Sequence, residues 1–306
     1  MGGAQLHPQK NFDGLCVLCA FAVNFPEKAM MALMPELPEV ETVRRALEIG
    51  LDGLRVTGVG GRSVMMRRPL DIPLIASKAR RKRFAAARRR GKFLLLDFDN
   101  TGSLLIHLGM SGRLMLGEAG EQKPDHTHLV LALSDGRELR FVDPRRFGLA
   151  VWLEPGDEAH DPSLAVLGME PLDPGIEDHL PPLLHARRSP LKSLILDQRL
   201  VAGVGNIYAA EALWRAGIRP TRKGCLTSIP RLRRLAIVTR DVITEAIAQG
   251  GTTIRDYATP SGDFGYFAVK LQVYGKEGQP CPKCSVALKD TRISGRTTVW
   301  CPQCQR

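Results

Sequence analysis

The first periodic segment of the chain predicts an amphipathic helix. Val40, Val43 and Leu47 recur at helical spacing and would share one apolar face. Pro38 suits the first turn of such a helix because its missing N–H would have no partner there. Gly50 is the predicted C-cap, since glycine adopts the left-handed backbone that often ends a helix.

Short apolar or alternating runs separated by turn signals follow this helix and predict strands. The predicted strands cover residues 54–59, 93–98, 103–108, 129–133, 138–142 and 149–153. Several short strands at close spacing favour a β-sandwich or barrel. Because a helix precedes them and helices follow, we expect an α+β fold.

The pattern changes after Glu154-Pro155-Gly156, where prolines and glycines indicate a linker with short helices. Helices are predicted over 191–198 and 231–249, and another begins near Asn206 after a glycine-rich turn. We therefore predict four parts of the chain. They are an extension (1–34), a β-sandwich domain (35–155), a linker with a helical domain (156–275) and a segment with four cysteines (276–306).

Four cysteines near the end of the chain have metal-ligand spacing. They form two C-x-x-C pairs, Cys281/Cys284 and Cys301/Cys304, which sixteen residues separate. This spacing predicts one structural Zn²⁺ held by four thiolates, with no position left open for catalysis. The residues between the pairs read as a β-hairpin too short to bury much core, so the metal must stabilise it.

Charge points to an anionic polymer as partner. The net charge is +11, and nine Lys or Arg with no Asp or Glu lie between Lys78 and Lys92. In isolation such a run is more often a solvated face. No apolar run is long enough to span a bilayer, and the cysteine pattern indicates a reducing cytosol, with Cys225 as a small core residue.

A proline that follows a methionine, Met34-Pro35, suggests a mature N-terminus inside the sequence. A free Pro35 would carry a secondary amine, which can attack a sugar carbon and hold it as an iminium. Glu36 and Glu39 lie beside it and could move protons. The alternative interpretation is an amphipathic helix that merely begins with a proline.

Residues 1–33 contain two basic and two acidic residues, so they add no net charge. Their apolar run, 15–23, is a weak match to a secretory signal because it lacks a strong basic flank. We expect a mis-assigned start codon, with translation beginning at Met34. If the longer form is made, its first segment is expected to be poorly ordered.

The segment MPELPEVETVRR (34–45) resembles the start of the formamidopyrimidine-DNA glycosylase family, which includes bacterial 8-oxoguanine DNA glycosylase. Four further motifs occur in the family's order, and the resemblance covers Met34 to Arg306. They are RGKFLL (90–95), HLGMSG (107–112) with DPRRFG (143–148), the stretch GVGNIYA…EAL (203–213), and the two cysteine pairs. Ala210 departs from the family pattern, in which many relatives carry aspartate.

The resemblance implies a bifunctional DNA glycosylase and AP lyase for oxidised purines in damaged double-stranded DNA. It also implies that the β-sandwich domain (35–155) is catalytic, that 156–275 contains a helix-two-turn-helix DNA-binding domain, and that 276–306 is a zinc-finger β-hairpin. Pro35 would attack C1′ of the flipped nucleotide, Glu36 would manage protons, and Glu39 would help to position the site. β- and δ-elimination would then cut the strand. The site residues it implies are Pro35, Glu36, Glu39, Lys92 and Arg296 for catalysis, and Lys92, His107, Met110, Arg145, Phe147, Lys192, Asn206 and Arg296 for DNA binding.

Within that set, Lys92, His107, Asn206 and Arg296 are implied to hold phosphates, and Lys192 to lie close to the lesion. Met110, Arg145 and Phe147 match the family's void-filling residues, which would occupy the gap left by the extruded base. Residues 257–274 correspond to the loop over that base. A monomer located in the cytoplasm with the nucleoid is expected.

Two other functions remain open from the sequence. An endonuclease VIII-like glycosylase for oxidised pyrimidines shares the N-terminal Pro-Glu, although Leu37 and the void-filling residues favour the purine branch. A noncatalytic zinc-dependent DNA-binding protein would be the outcome if the N-terminal extension were retained.

Overall fold

A computed structural model describes residues 34–250 and 271–306 of the chain. The predicted poorly ordered segment, 1–33, lies outside these residues, as does most of the predicted loop, 257–274. Within the described ranges, none of the helices is long and apolar enough to cross a membrane.

The first helix, α1 (Leu37–Gly50), confirms the predicted amphipathic pattern, since Val40, Val43 and Leu47 are all buried. The predicted C-cap is wrong. Gly50 is still helical, and the cap is Leu51, whose N–H donates to the Leu47 carbonyl at 2.9 Å. A right-handed backbone at Leu51 ends the helix, so no left-handed glycine is needed there.

The predicted β-sandwich consists of two four-stranded antiparallel sheets, with strand orders β1-β6-β7-β5 and β2-β3-β4-β8. The strands are β1 (Val56–Gly61), β2 (Phe84–Arg90), β3 (Phe93–Phe98), β4 (Gly102–His107), β5 (Arg113–Glu118), β6 (Thr127–Leu133), β7 (Arg137–Val142) and β8 (Leu149–Leu153). A short helix that the sequence reading missed, α2 (Ile72–Ala79), follows β1.

Strand β3 is apolar on both faces because each face is covered. Leu94 and Leu96 point into the sandwich core together with the apolar face of α1. Phe93 and Leu95 pack on the other side against Leu164 of the segment that follows the sandwich. A continuous apolar run is the expected pattern for a strand buried on both sides.

The remaining helices form a second core. They are α3 (Ile176–His185), α4 (Leu191–Leu196), α5 (Asn206–Ala216) and α6 (Ile229–Ala248). Leu37, the first residue of α1, belongs to this second core, whereas the rest of its apolar face belongs to the sandwich. Helix α1 therefore joins the two cores. Cys225 is only half-buried and lies outside them, contrary to the core position expected for it.

The predicted hairpin at the end of the chain is formed by β9 (Lys289–Ile293) and β10 (Arg296–Trp300). Its small core contains Cys281 and Cys301 and packs on Trp214 of α5. Gln305 ties the module to the helices, because its amide accepts from the Cys301 N–H at 2.7 Å and donates to the Ile218 carbonyl at 2.9 Å.

The four cysteine sulfurs have the geometry of a tetrahedral zinc site. Tetrahedral coordination with Zn–S bonds of about 2.3 Å places each pair of sulfurs about 3.8 Å apart. The Sγ atoms of Cys281 and Cys304 are 3.9 Å apart, those of Cys284 and Cys301 are 3.5 Å apart, and all four lie within 4.8 Å of one another. The donor set therefore fits one structural Zn²⁺.

Cys301→Ser should release the zinc and expose the backbone amides of β9 and β10, because so small a module depends on the metal for its stability. Zinc content per chain and amide hydrogen exchange of 289–300 would measure the loss. Cys225→Ser is the matched control and should retain one zinc. A zinc-free Cys301→Ser protein that kept full protection of the hairpin would contradict the prediction.

Candidate active site and nucleic-acid interface

The carboxylate of Glu36 lies at the N-terminus of α5 and caps it. One oxygen accepts from the Ile207 N–H at 2.8 Å, and the other accepts from Gly205 at 2.8 Å and Tyr208 at 3.4 Å. The unpaired N–H groups and positive partial charge of a helix N-terminus favour a carboxylate at this place. Glu36 is also the N-cap residue of α1, so one residue links the starts of two helices.

Two glycines make this contact possible. A Cβ on Gly205 would lie 2.3 Å from the Glu36 carboxyl carbon, and one on Gly203 would lie 2.5 Å from the Leu37 side chain. The Gly203 carbonyl also accepts from the Leu37 N–H at 3.0 Å. The glycine-rich turn therefore admits an anion, and the anion that its N–H groups hold is the Glu36 carboxylate of the same chain.

Glu39 holds the backbone next to Pro35. One of its oxygens accepts from the Glu36 N–H at 2.9 Å, and the other accepts from the Tyr208 hydroxyl at 2.6 Å. Glu36 and Glu39 are almost fully buried, and Pro35 is also buried. The three predicted residues at the start of α1 are therefore together, and hydrogen bonds hold the side chains of Glu36 and Glu39 in place.

Burial raises the pKa of Glu36 to about 7. The ammonium of Lys92 opposes this shift, whereas the charge of Glu39 adds to it. At neutral pH the carboxyl of Glu36 is therefore populated in both protonation states, as a group that transfers protons requires.

Two lysines bring positive charge to the same place. Burial lowers the pKa of Lys192 to about 7, and nearby Arg296 lowers it further while Glu36 raises it. Burial and Arg296 also lower the pKa of Lys92, and Glu36 again acts in the opposite direction. Glu36 and Arg296 therefore both lie near enough to influence the charges of Lys92 and Lys192.

The zinc hairpin reaches this region through the main chain of Thr297. Its carbonyl accepts from the Asn206 side-chain amide at 3.2 Å and from the Lys192 ammonium at 3.4 Å. The Asn206 side-chain oxygen is buried and has no hydrogen-bond partner among the described residues. Arg296, beside Thr297, is exposed at the start of β10.

His107 lies at the end of β4 as a neutral ring. Burial, together with the cations Arg67 and Lys92, lowers its pKa to about 3. Its Nδ1 accepts from the Gly109 N–H at 2.9 Å, so the proton of the neutral ring is on Nε2. The group that His107 can offer to an anion is therefore a neutral N–H donor.

The predicted void-filling residues lie on two loops that a buried aspartate ties together. The Asp143 carboxylate accepts from the Ser111 hydroxyl at 2.7 Å and from the Gly148 N–H at 2.8 Å. The Arg145 guanidinium lies 4.8 Å from the centre of the Phe147 ring. Phe147 is 48% exposed and Met110 half-buried, so both loops present apolar side chains at the surface.

A buried ion network fixes the turn that carries Lys92. Glu170 accepts from the Gly91 N–H at 2.6 Å and pairs with Arg89 at 2.7 Å. Arg89 also pairs with Glu41 of α1 at 3.0 Å. The position of Lys92 is thus linked both to α1 and to the segment that follows the sandwich.

Sequence reasoning missed several residues that hold the site, namely Tyr208, Glu170, Asp143, Gly205 as a partner of Glu36, and Thr297. Their contacts join residues far apart in the chain, so no local pattern indicates them. The one available signal was the pair of glycines at 203 and 205, which indicates a close backbone approach.

Comparison with known families agrees with the motifs. The sequence profile of the formamidopyrimidine-DNA glycosylase N-terminal domain matches residues 34–150, and that of the formamidopyrimidine-DNA glycosylase H2TH domain matches residues 167–258. The profile of the zinc finger found in FPG and IleRS matches residues 278–306. This finding and the sulfur geometry confirm the predicted structural zinc site.

Curated relatives align over their whole length. The formamidopyrimidine-DNA glycosylase of Stenotrophomonas maltophilia is 47% identical over 274 residues, covering 89% of this chain and 100% of the relative. The protein of the same name from Acidithiobacillus ferrooxidans is 45% identical, with the same coverage of both chains.

Solved structures share the fold. The Fpg protein of Thermus thermophilus is 39% identical, with a TM-score of 0.78 over 89% of this chain and 98% of that one. Lactococcus lactis Fpg, crystallised with a DNA containing N7-benzyl-Fapy-dG, is 30% identical, with a TM-score of 0.80 over 89% of this chain and 100% of that one. The predicted α+β fold is confirmed, and the chain belongs to the formamidopyrimidine-DNA glycosylase family.

Proposed function

We propose that this chain is a DNA glycosylase and AP lyase that removes oxidised purines, chiefly formamidopyrimidines and 8-oxoguanine, from duplex DNA. The observation that carries the proposal is the start of α1, where buried Pro35 adjoins a carboxyl of pKa about 7. Family membership and the Lactococcus lactis complex with Fapy-containing DNA support the substrate class.

In the proposed mechanism the free amine of Pro35 attacks C1′ of the extruded nucleotide. The C1′–N bond to the damaged base breaks, and its electron pair leaves with the base. The nitrogen then loses its proton, the C1′–O4′ bond opens as O4′ takes up a proton, and the nitrogen holds the ring-opened sugar as an iminium. Loss of a C2′ proton drives β-elimination of the 3′-phosphate, and δ-elimination releases the 5′-phosphate. Glu36 takes up and returns the protons at the sugar.

Four groups around the site are suited to hold DNA phosphates. Lys92 and Arg296 are cations, His107 offers a neutral N–H, and Asn206 lies in the first turn of α5. In the same proposal Lys192 lies close to the lesion. Met110, Arg145 and Phe147 enter the duplex where the base has left it.

We further propose that the protein acts as a monomer, because all of these groups come from one chain. Its association with the nucleoid would follow from DNA binding. Size-exclusion chromatography with light scattering, with and without a lesion duplex, would test the monomer. A dimer in the complex would count against it.

The reaction requires that the nitrogen of Pro35 be free. In the 306-residue chain this nitrogen is a tertiary amide joined to Met34, and its lone pair is delocalised into the carbonyl. A protein beginning at Pro35 should cleave an 8-oxoguanine duplex and be trapped on the DNA by borohydride, whereas the verified 306-residue chain should do neither.

Pro35→Gly in the short form is the control, because it keeps a free amine and should retain part of the activity. Acetylation of the short form should abolish both cleavage and trapping. Efficient cleavage by an uncut 306-residue chain would overturn Pro35 as the nucleophile. Tight DNA binding without cleavage by both forms would instead favour a noncatalytic DNA-binding protein.

Arg296→Ala should weaken DNA binding and make it less sensitive to salt. Each lost phosphate contact lowers the slope of log K against log salt by roughly 0.9. Fluorescence anisotropy with a lesion duplex at several salt concentrations would measure the slope. Arg233→Ala is the control, because Arg233 already pairs with Asp178 at 3.1 Å. An unchanged slope for Arg296→Ala would exclude this phosphate contact.

Lys92→Met should shift the pH dependence of the chemical step. A carboxyl with a pKa of about 7 loses its charge as the pH falls through 7, so the wild-type rate should fall there if ionised Glu36 is the base. The Lys92 ammonium is the main group that lowers the pKa of Glu36. Without it this pKa should rise, so the acidic limb of the pH–rate profile, where the rate falls, should move to higher pH.

Single-turnover cleavage of a preformed abasic site between pH 5 and 9 would show the limb, independently of the lower rate expected for Lys92→Met. Lys78→Met is the control, because Lys78 pairs with Glu154 on the surface at 2.7 Å and should leave the limb in place. An acidic limb that did not move would contradict the assignment to Glu36.

A further inference from the structure

A chain of hydrogen bonds runs from α5 to the backbone next to Pro35. The Tyr208 hydroxyl donates to one oxygen of Glu39 at 2.6 Å, and the other oxygen accepts from the Glu36 N–H at 2.9 Å. Tyr208 is fully buried, so its hydroxyl does not exchange this partner for bulk water. The phenol is therefore connected to the start of α1 through a single carboxylate.

The Glu36 N–H that ends this chain belongs to the peptide group formed with the Pro35 carbonyl. A peptide group is planar, and the ring of proline fixes φ. Once the Glu36 N–H is held, the one soft torsion left to orient the Pro35 nitrogen is ψ of Pro35. Holding Glu39 in place thus leaves the proposed nucleophile with rotation about this single torsion.

The hold is reciprocal. The Tyr208 backbone N–H and the Ile207 N–H donate to the Glu36 carboxylate, at 3.4 Å and 2.8 Å, while the Tyr208 side chain grips Glu39. The carboxylate of Glu36 therefore holds the start of α5, and the hydroxyl of Tyr208 holds the start of α1 through Glu39. A shift of α5 would move both carboxylates together.

We infer that Tyr208 is a positioning residue for the amine of Pro35 and acts through Glu39. The inference rests on the proposed function, in which that amine is the nucleophile. Tyr208 also fills the core of the helical domain with its ring. The ring alone explains an aromatic residue at this position, whereas the hydroxyl is explained by its bond to Glu39.

Tyr208→Phe separates these two roles, because it keeps the ring and removes only the hydroxyl. In the form beginning at Pro35, we expect the single-turnover rate on an abasic-site duplex to fall roughly tenfold. That factor corresponds to about 1.4 kcal/mol, which lies within the range of a typical intramolecular hydrogen bond. Affinity for a duplex with an uncleavable tetrahydrofuran lesion should stay within about twofold.

Thr239→Val is the matched control for the loss of a buried hydroxyl. Thr239 donates to the Leu235 carbonyl at 2.7 Å, a hydrogen bond that lies within α6 and does not involve α1. Both variants should lose a similar, small part of their thermal stability. Only Tyr208→Phe should lose cleavage rate. If the Tyr208 hydroxyl were merely structural, the two variants would show the same change in cleavage rate as well as in thermal stability.

A double-mutant cycle with Glu39→Gln tests the route through Glu39. If the hydroxyl acts through that carboxylate, Tyr208→Phe should cost nothing further in the Glu39→Gln background. If the rate losses of the two single variants multiply in the double variant, the inference is wrong. It is also wrong if the unsubstituted protein cleaves and is trapped by borohydride and Tyr208→Phe cleaves at the same rate. An inactive parent would overturn the proposed function, and the role of Tyr208 with it.

Discussion

The buried carboxylate of Glu36 is the interaction on which the site depends. An isolated buried charge is costly, and its pKa of about 7 shows that the ionised form is disfavoured. Three backbone N–H groups and the positive end of α5 offset much of this cost. The same contacts prevent α1 and α5 from moving independently, so the sandwich and the helices meet where the chemistry would occur.

This constraint also limits which residues the neighbouring positions can accommodate. A side chain at Gly205 would occupy the space of the carboxyl group, and one at Gly203 would displace Leu37. Leu37 in turn carries the start of α1 into the core of the helical domain. The glycine-rich turn and the Pro-Glu-Leu segment therefore form one packing unit, although more than 160 residues separate them.

Local patterns predicted those parts of the fold that local physics determines. The face of α1, most of the strands and the four cysteines follow from periodicity and spacing, and all are present. The C-cap at Gly50 failed because Leu51 ends the helix with an ordinary right-handed backbone. Helix α2 was missed because it is short and only two of its side chains are buried, so its periodicity is weak.

The supports of the site were beyond prediction for a different reason. Tyr208 on Glu39, and Glu170 on the turn before Lys92, depend on how the cores pack against each other. A tyrosine within an apolar helix looks like a core residue, and a glutamate in a linker looks like a surface residue. Their roles depend on hydrogen-bond partners that are distant in sequence, Glu39 for Tyr208 and the Gly91 N–H for Glu170.

Burial divides the site into two kinds of residue. Pro35, Glu36, Glu39 and Tyr208 are buried, and the three polar members are fixed by at least two hydrogen bonds from or to the groups around them. Phe147 and Arg296 are exposed. A reacting group benefits from an orientation set before substrate arrives, since no reorganisation is then required during the reaction. Groups that insert into a DNA duplex or bind its phosphates must instead be exposed, and they must accept many different DNA sequences. The fold meets both requirements of the proposed function, because the proposed reacting residues lie at the junction of its two cores and the proposed DNA-contacting residues lie on loops and on the zinc hairpin.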